Sequence, residues 1–149
     1  MLKSIFKWLL GTLIVLQIIQ IKVPPVPSHI NPQDEIKAPK EIMSMLKTSC
    51  YDCHSYQTKM PWYGHIAPIS WEVKSHIKFG RQALNFQEWQ KYDEAKKQKL
   101  YKKIVQTINF RMPLPMYLVK HKDARLTKEQ RDSIKEWAKS HIKEDEDEY

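Results

Sequence analysis

Glycine and cysteine are scarce in this chain of 149 residues, which contains three Gly and two Cys. With so few glycines, no hairpin turn signals and no alternating apolar–polar runs, strands are not expected. Two cysteines cannot form a disulfide framework, and a bridge across two residues would be strained and close almost no loop. The sequence therefore predicts a helical protein whose cysteines serve a purpose other than cross-linking.

Both cysteines fall in one C-x-x-C-H motif, residues 50–54. Residues three apart on a helical turn project from the same face, so the thiols of Cys50 and Cys53 can reach the two vinyl groups on one edge of a porphyrin. His54 then lies where its imidazole can become the proximal iron ligand. The motif predicts one covalently attached haem of the c type.

Two other uses of the motif agree less well with the sequence. A thioredoxin-like dithiol normally belongs to a strand–helix–strand unit, and no such pattern flanks the motif. A zinc site needs four ligands, and the adjacent Cys53 and His54 would chelate one metal awkwardly. Covalent haem is the interpretation that accounts for all three side chains.

The N-terminal segment, residues 1–21, has the layout of a membrane signal: Lys3 and Lys7 precede an apolar run. No small-x-small cleavage site follows it. We therefore expect an uncleaved signal anchor, a transmembrane helix over about residues 4–23. The positive-inside rule then predicts a single-pass protein of the inner membrane, with its haem domain on the periplasmic side. A cleaved signal peptide is the alternative.

Linker and tail segments are predicted on either side of the remaining chain. Residues 22–38 form a proline-rich spacer, and residues 144–149 form an acidic tail. Residues 22–143 carry a net charge of +11. An exported domain does not meet nucleic acid, so the charge indicates acidic or membrane-bound redox partners instead.

Residues 39–143 are predicted to form the haem domain, a small cytochrome c-like all-α fold of four to five helices. Helical apolar spacing recurs along this segment, and each helix has a local start signal. The start signals are Pro39, for a helix to about Thr48, then Pro68, Asn85, Asp93, and Thr127 with Gln130 as a capping box. A haem in so small a domain would also be part of its core.

The sixth iron ligand is predicted to be Met112. It lies 58 residues after His54, and Pro113 ends the preceding helix and extends the loop that carries the thioether. Met112 could instead fill a gap in the core as a flexible apolar side chain. The other candidate ligands are Met116, His65, His76 and His121.

These motifs together resemble the small haem-binding domain proteins of the cytochrome c type, a Bacteroidetes-like family. The resemblance covers about residues 39–140. Its anchors are Cys50–Ser55, Pro61–Tyr63, Ile66–Trp71, Gly80–Arg81, Ala83–Phe86, Glu88–Trp89, Met112–Pro113 and Ala124–Thr127. It implies covalent haem on both cysteines, His54 as proximal ligand and a methionine–proline loop at Met112 as the distal one. It implies no defined activity.

The predicted function is one-electron transfer, without enzymatic activity, because His and Met would fill both axial positions of the iron. The alternative is a ligand sensor or a peroxidase-like enzyme with an open sixth position. Trp62, Tyr63 and Trp71 are expected to pack on the haem. Arg81, or Arg111, is expected to pair with its propionates.

Overall fold

A computed structural model describes residues 1–143, and this part of the chain is helical without any strand, which confirms the predicted all-α class. Seven α-helices are present within these residues, and six of them lie in residues 39–143, where four to five were predicted. They are α1 (Leu2–Leu16), α2 (Lys40–Ser49), α3 (Tyr51–His54), α4 (Ile69–Ala83), α5 (Glu94–Thr107), α6 (Pro115–Lys120) and α7 (Lys128–Lys139). Four short 3-10 helices join them, at Pro32–Asp34, Trp62–His65, Phe86–Lys91 and Lys122–Ala124. The predicted acidic tail, residues 144–149, lies outside the described residues.

The predicted transmembrane anchor is wrong. Helix α1 has 15 residues, a length of about 22 Å at 1.5 Å per residue, whereas a bilayer core is about 30 Å thick. Within residues 1–143, no helix combines the length and the apolar character needed to cross a membrane. The predictions of single-pass inner-membrane anchoring and a periplasmic haem domain are corrected accordingly.

The residues that follow the end of α1 at Leu16 bond to the rest of the protein. The Gln17 side-chain amide donates to the Ala67 carbonyl at 3.1 Å and accepts from the Ala67 N–H at 3.0 Å. The Trp71 indole N–H donates to the Ile19 carbonyl at 2.6 Å. These bonds tie the segment after α1 to the start of α4. The predicted domain and linker boundaries themselves stay predictions.

The helix starts predicted from local sequence signals are confirmed. Pro39 and Pro68 immediately precede α2 and α4. The side chains of Asn85 and Asp93 accept backbone N–H bonds at the starts of the 3-10 helix Phe86–Lys91 and of α5. Thr127 and Gln130 form the reciprocal capping box of α7.

The core lies between α2, α5 and α7 and contains an aromatic cluster. Tyr101 of α5 makes edge-on ring contacts with Trp89, at 4.9 Å between centroids, and with Trp137 of α7, at 5.7 Å. Leu46 of α2 and Ile134 of α7 are fully buried beside it. This cluster supports one side of the segment that carries the C-x-x-C-H motif.

Helices α3 and α4 approach each other very closely at Gly80. A Cβ atom at this position would lie 2.5 Å from the Cys53 carbonyl oxygen. Only a residue without a side chain permits that distance, so Gly80 brings the α4 backbone against the motif. The close approach determines the surroundings of His54.

Candidate functional site

A cavity of about 400 Å³ brings together the four side chains that sequence analysis assigned to the haem iron and its attachment. Cys50, Cys53 and His54 line one part of it, and Met112 lines another. The remaining walls are mainly apolar side chains from α4, α5 and the loop before α6. The residues contributing these walls include Phe79, Ala83, Leu84, Leu100, Ile104, Ile108 and Leu114.

His54 is oriented by two backbone carbonyls. Its Nδ1 lies 3.1 Å from the carbonyl oxygen of Gly80 and 3.1 Å from that of Leu84, so Nδ1 carries the proton and donates. Burial lowers the pKa of His54, although both carbonyl bonds oppose that shift. The imidazole is therefore neutral, with the lone pair of Nε2 available to a metal, as metal-binding histidines require.

The two cysteines are protonated thiols in this environment. Burial, with the neighbouring Cys53 second, raises the pKa of Cys50 to about 12. Burial, with Asp52 second, raises the pKa of Cys53 to about 11, although Arg81 opposes the shift. Redox-active dithiols have lowered pKa values, so the surroundings of these thiols argue against a thioredoxin-like use.

A metal site made by side chains alone finds no support either. Among residues 1–143, no group of three or more His, Cys, Asp or Glu side chains could hold a metal ion. A four-ligand zinc site at the motif therefore lacks its remaining ligands. The histidine needs another partner in the cavity to complete any coordination sphere.

The two loop methionines have different positions. Met112 is partly buried and lines the cavity, whereas the Met116 side chain is 75% exposed and lines a neighbouring cavity. The peptide bond between Met112 and Pro113 is cis. The place of Met112 in the wall of the cavity agrees with the choice of Met112 over Met116 made from the sequence. Its role as iron ligand stays a prediction.

Of the three rival histidines, His76 alone lines the same cavity. Its Nε2 lies 3.4 Å from a carboxylate oxygen of Glu72, one turn earlier on α4. His121 lines the neighbouring cavity instead, and His65 is exposed and lines neither. His76 is therefore the main competitor of Met112 for the sixth position.

The aromatic residues expected around haem lie elsewhere. Trp62 and Tyr63 line the neighbouring cavity, of about 370 Å³. The two cavities share five lining residues: Asp52, Cys53, His76, Leu114 and Tyr117. Trp71 lines neither cavity and contacts the segment after α1. Their packing on haem stays a prediction, which the lining of the 400 Å³ cavity does not support.

Arg81 is buried and hydrogen-bonded within the protein. Its guanidinium donates to the Ser55 carbonyl at 2.8 Å, the Pro24 carbonyl at 3.1 Å and the Thr58 hydroxyl at 2.9 Å. It thus fixes the chain that leaves the C-x-x-C-H motif. Arg81 does not line the cavity, and its predicted pairing with propionates is not supported by this geometry.

Three cavity residues were not identified from sequence. Lys103 of α5 is exposed and lines the cavity, which makes it a cation available to a carboxylate at the solvent side. Ser49 lines the cavity with a buried hydroxyl that has no hydrogen-bond partner among the described residues. Tyr117 also lines it and bonds to Asp52. The repeated lysines of α5 are the sequence pattern from which Lys103 could have been predicted at the cavity. No sequence pattern indicates Ser49 or Tyr117.

The residues around the cavity fit a haem. A porphyrin has a large flat apolar surface, which matches the apolar walls of α4 and α5. A neutral imidazole with a free Nε2 and a thioether are both known axial ligands of haem iron. Two thiols beside the histidine fit the vinyl edge of the porphyrin. The buried Ser49 hydroxyl in the cavity wall has no hydrogen-bond partner among the described residues, so a polar group of a bound molecule could bond to it.

Comparisons with known proteins give one match. The model of a family described as a haem-binding domain matches residues 11–140, which is most of the chain. Neither the curated proteins nor the solved structures contain a match to this chain.

Proposed function

The chain belongs to the haem-binding domain family, and on this premise we propose that it is a one-electron carrier with one covalently attached haem. The observation that carries the proposal is the single cavity of about 400 Å³ lined by Cys50, Cys53, His54 and Met112. Haem binding itself follows from membership of the family. Covalent attachment, His/Met ligation and electron transfer are the proposed part.

The chain's own residues have separate tasks in this proposal. The thiols of Cys50 and Cys53 would hold the haem covalently, each by adding across one vinyl group, so that the S–H bond is replaced by a thioether and a C–H bond with nothing released. The bonds from Nδ1 to Gly80 and Leu84 hold the His54 ring, whose Nε2 would bind the iron. Met112 would supply the second protein ligand. Haem, when bound, supplies an iron centre that accepts and releases one electron.

Two protein ligands at the iron, as proposed, would favour a carrier over an enzyme. A peroxidase-like enzyme or a gas sensor needs an open position at the iron, with a distal His or Arg in the case of a peroxidase. The buried guanidinium of Arg81 is committed to backbone and Thr58 oxygens, so it is not available for that role. Among the described residues that line the cavity, His76 could serve that role.

The test compares Met112→Ala with Met116→Ala in the haem-loaded full chain. We expect the parent to retain haem on denaturing electrophoresis and to show the near-infrared absorption band of methionine sulfur bound to ferric iron. Met112→Ala should abolish the band and lower the reduction potential, because the thioether raises that potential. Met116→Ala should preserve both, since its side chain is exposed outside the cavity.

Several outcomes would contradict the proposal. Haem that extracts into acidified organic solvent would exclude covalent attachment. A parent protein without the sulfur band would exclude Met112 as ligand, and loss of that spectrum in His76→Ala would assign the position to His76. Rapid binding of carbon monoxide by the parent would indicate an open iron, and the function would then be sensing or peroxidase-like catalysis.

A further inference from the structure

Asp52, the residue before Cys53 in the motif, joins three separate parts of the chain. Its Oδ1 accepts the backbone N–H of Lys59 at 2.9 Å, and its Oδ2 accepts the hydroxyl of Tyr117 at 2.8 Å. Tyr117 follows Asp52 by 65 residues and belongs to α6. The carboxylate therefore links the motif both to the loop after it and to the helix that follows Met112.

The orientation of Tyr117 is fixed from its other side. Its ring stacks on that of His121, with centroids 4.1 Å apart and planes 9° from parallel. The Nε2 of His121 shares a hydrogen bond of 2.9 Å with the Tyr63 hydroxyl. Burial and the bond to Asp52 raise the pKa of Tyr117, so the phenol keeps the proton that it donates.

The segment between α5 and α6 is held at both ends. Before Met112, the Arg131 guanidinium of α7 donates to the Ile108 carbonyl at 2.7 Å and to the Met112 carbonyl at 3.4 Å. After Met112, the Asp52–Tyr117 pair holds the first turn of α6. The thioether of Met112 thus lies on a short loop with one support on α7 and the other on the motif itself.

We propose that the Asp52–Tyr117 pair is a positioning device, which holds the Met112 loop over the cavity and thereby strengthens the bond of Met112 to iron. The inference rests on the proposed function, because it requires Met112 to be the ligand. A loop held in place keeps the thioether at the metal, so an outside ligand competes less well for the position. Loss of the Asp52–Tyr117 hydrogen bond should let the Met112 loop move away from the cavity, and an outside ligand should then bind the iron more readily.

The experiment titrates imidazole into the ferric, haem-loaded full chain and follows loss of the near-infrared sulfur band. Tyr117→Phe keeps the ring that stacks on His121 and removes only the donor. Since a hydrogen bond to a charged group is a strong one, we expect imidazole to bind about tenfold more tightly to Tyr117→Phe than to the parent. Asp52→Asn should change binding in the same direction, and the double variant should exceed the larger single effect by less than about twofold.

Tyr56→Phe is the matched control. It removes another partly buried tyrosine hydroxyl that bonds to a carboxylate, that of Glu88, and Tyr56 does not line the cavity. Its imidazole affinity should equal that of the parent. A parent with the sulfur band whose Tyr117→Phe and Asp52→Asn variants titrate like Tyr56→Phe would overturn this inference alone. A parent without the band would overturn the Met112 assignment, and the inference with it.

Discussion

At the scale of single residues, Gly80 controls how closely the motif and α4 can approach. Gly80→Ala would place a methyl group 2.5 Å from the Cys53 carbonyl oxygen, an atom of the backbone that cannot rotate away. We expect the free energy of unfolding to fall by about 1–3 kcal/mol, despite the better helix propensity of Ala. The denaturant midpoint of the haem-loaded protein measures the loss.

Gly11→Ala is the control for that substitution. Gly11 lies in exposed helix α1, and nothing lies within 4 Å of the Cβ that would be added. Its midpoint should be unchanged or slightly raised. Equal midpoints for the two variants would mean that α3 and α4 can separate without cost, contrary to the close approach described here.

Cys50 and Tyr117 differ in how far their roles in the site can be predicted from the sequence. Cys50, Cys53 and His54 are adjacent along the chain, so their spacing alone predicts one shared face. The bond between Asp52 and Tyr117 joins residues 65 positions apart, and nothing local indicates it. Arg81 was expected at haem for its charge, yet its burial and its bonds to carbonyls come from tertiary packing.

At the scale of secondary-structure elements, the capping box of α7 supports the core. The Thr127 hydroxyl accepts the Gln130 N–H, and the Gln130 side chain accepts the Thr127 N–H. Because α7 buries Ile134 and Ala138, fraying at its start should weaken the whole fold. We expect Thr127→Ala to lower the free energy of unfolding by about 1 kcal/mol, measured by denaturant titration.

Thr48→Ala serves as its matched control. Thr48 is exposed near the end of α2, and its hydroxyl bonds only to the Ser44 carbonyl of the same helix. Ala is the better helix former, so this change should shift stability by less than about 0.5 kcal/mol. An equal loss in both variants would assign the effect to the hydroxyl group in general rather than to the cap.

Helix starts were predictable because a cap needs only residues within one turn, as Asp93 and Thr127 show. The end of α1 was not. Apolar composition continues past Leu16 to Ile21, but Gln17 bonds to Ala67, 50 residues away, and the chain leaves the helix there. Apolar composition indicates how long a helix could be, but it does not reveal bonds such as Gln17–Ala67 to distant parts of the chain.

At the scale of the whole molecule, the net charge of +11 over residues 22–143 should attract anionic redox partners. With ferrocyanide as an anionic electron donor, we expect the rate of haem reduction to fall about threefold or more between roughly 10 mM and 500 mM salt, because salt screens the attraction. Stopped-flow absorbance measures the rate.

Hexaammineruthenium(II), a cationic donor, is the control, and its rate should rise with salt as repulsion is screened. We expect a redox partner of this domain to carry acidic side chains on the surface that it presents. Salt dependence of the same sign for both reagents would exclude steering by the charge of this domain.

The two carbonyls that accept from His54 belong to the end of α4, Gly80 in its last turn and Leu84 as its C-terminal cap. Carbonyls at that end carry the negative pole of the helix dipole. They therefore draw the Nδ1 proton and give the imidazole some imidazolate character, which would make it a stronger electron donor to ferric iron in the proposed haem complex. In that complex α4 would favour the oxidised iron through His54, whereas the Met112 thioether would favour the reduced iron.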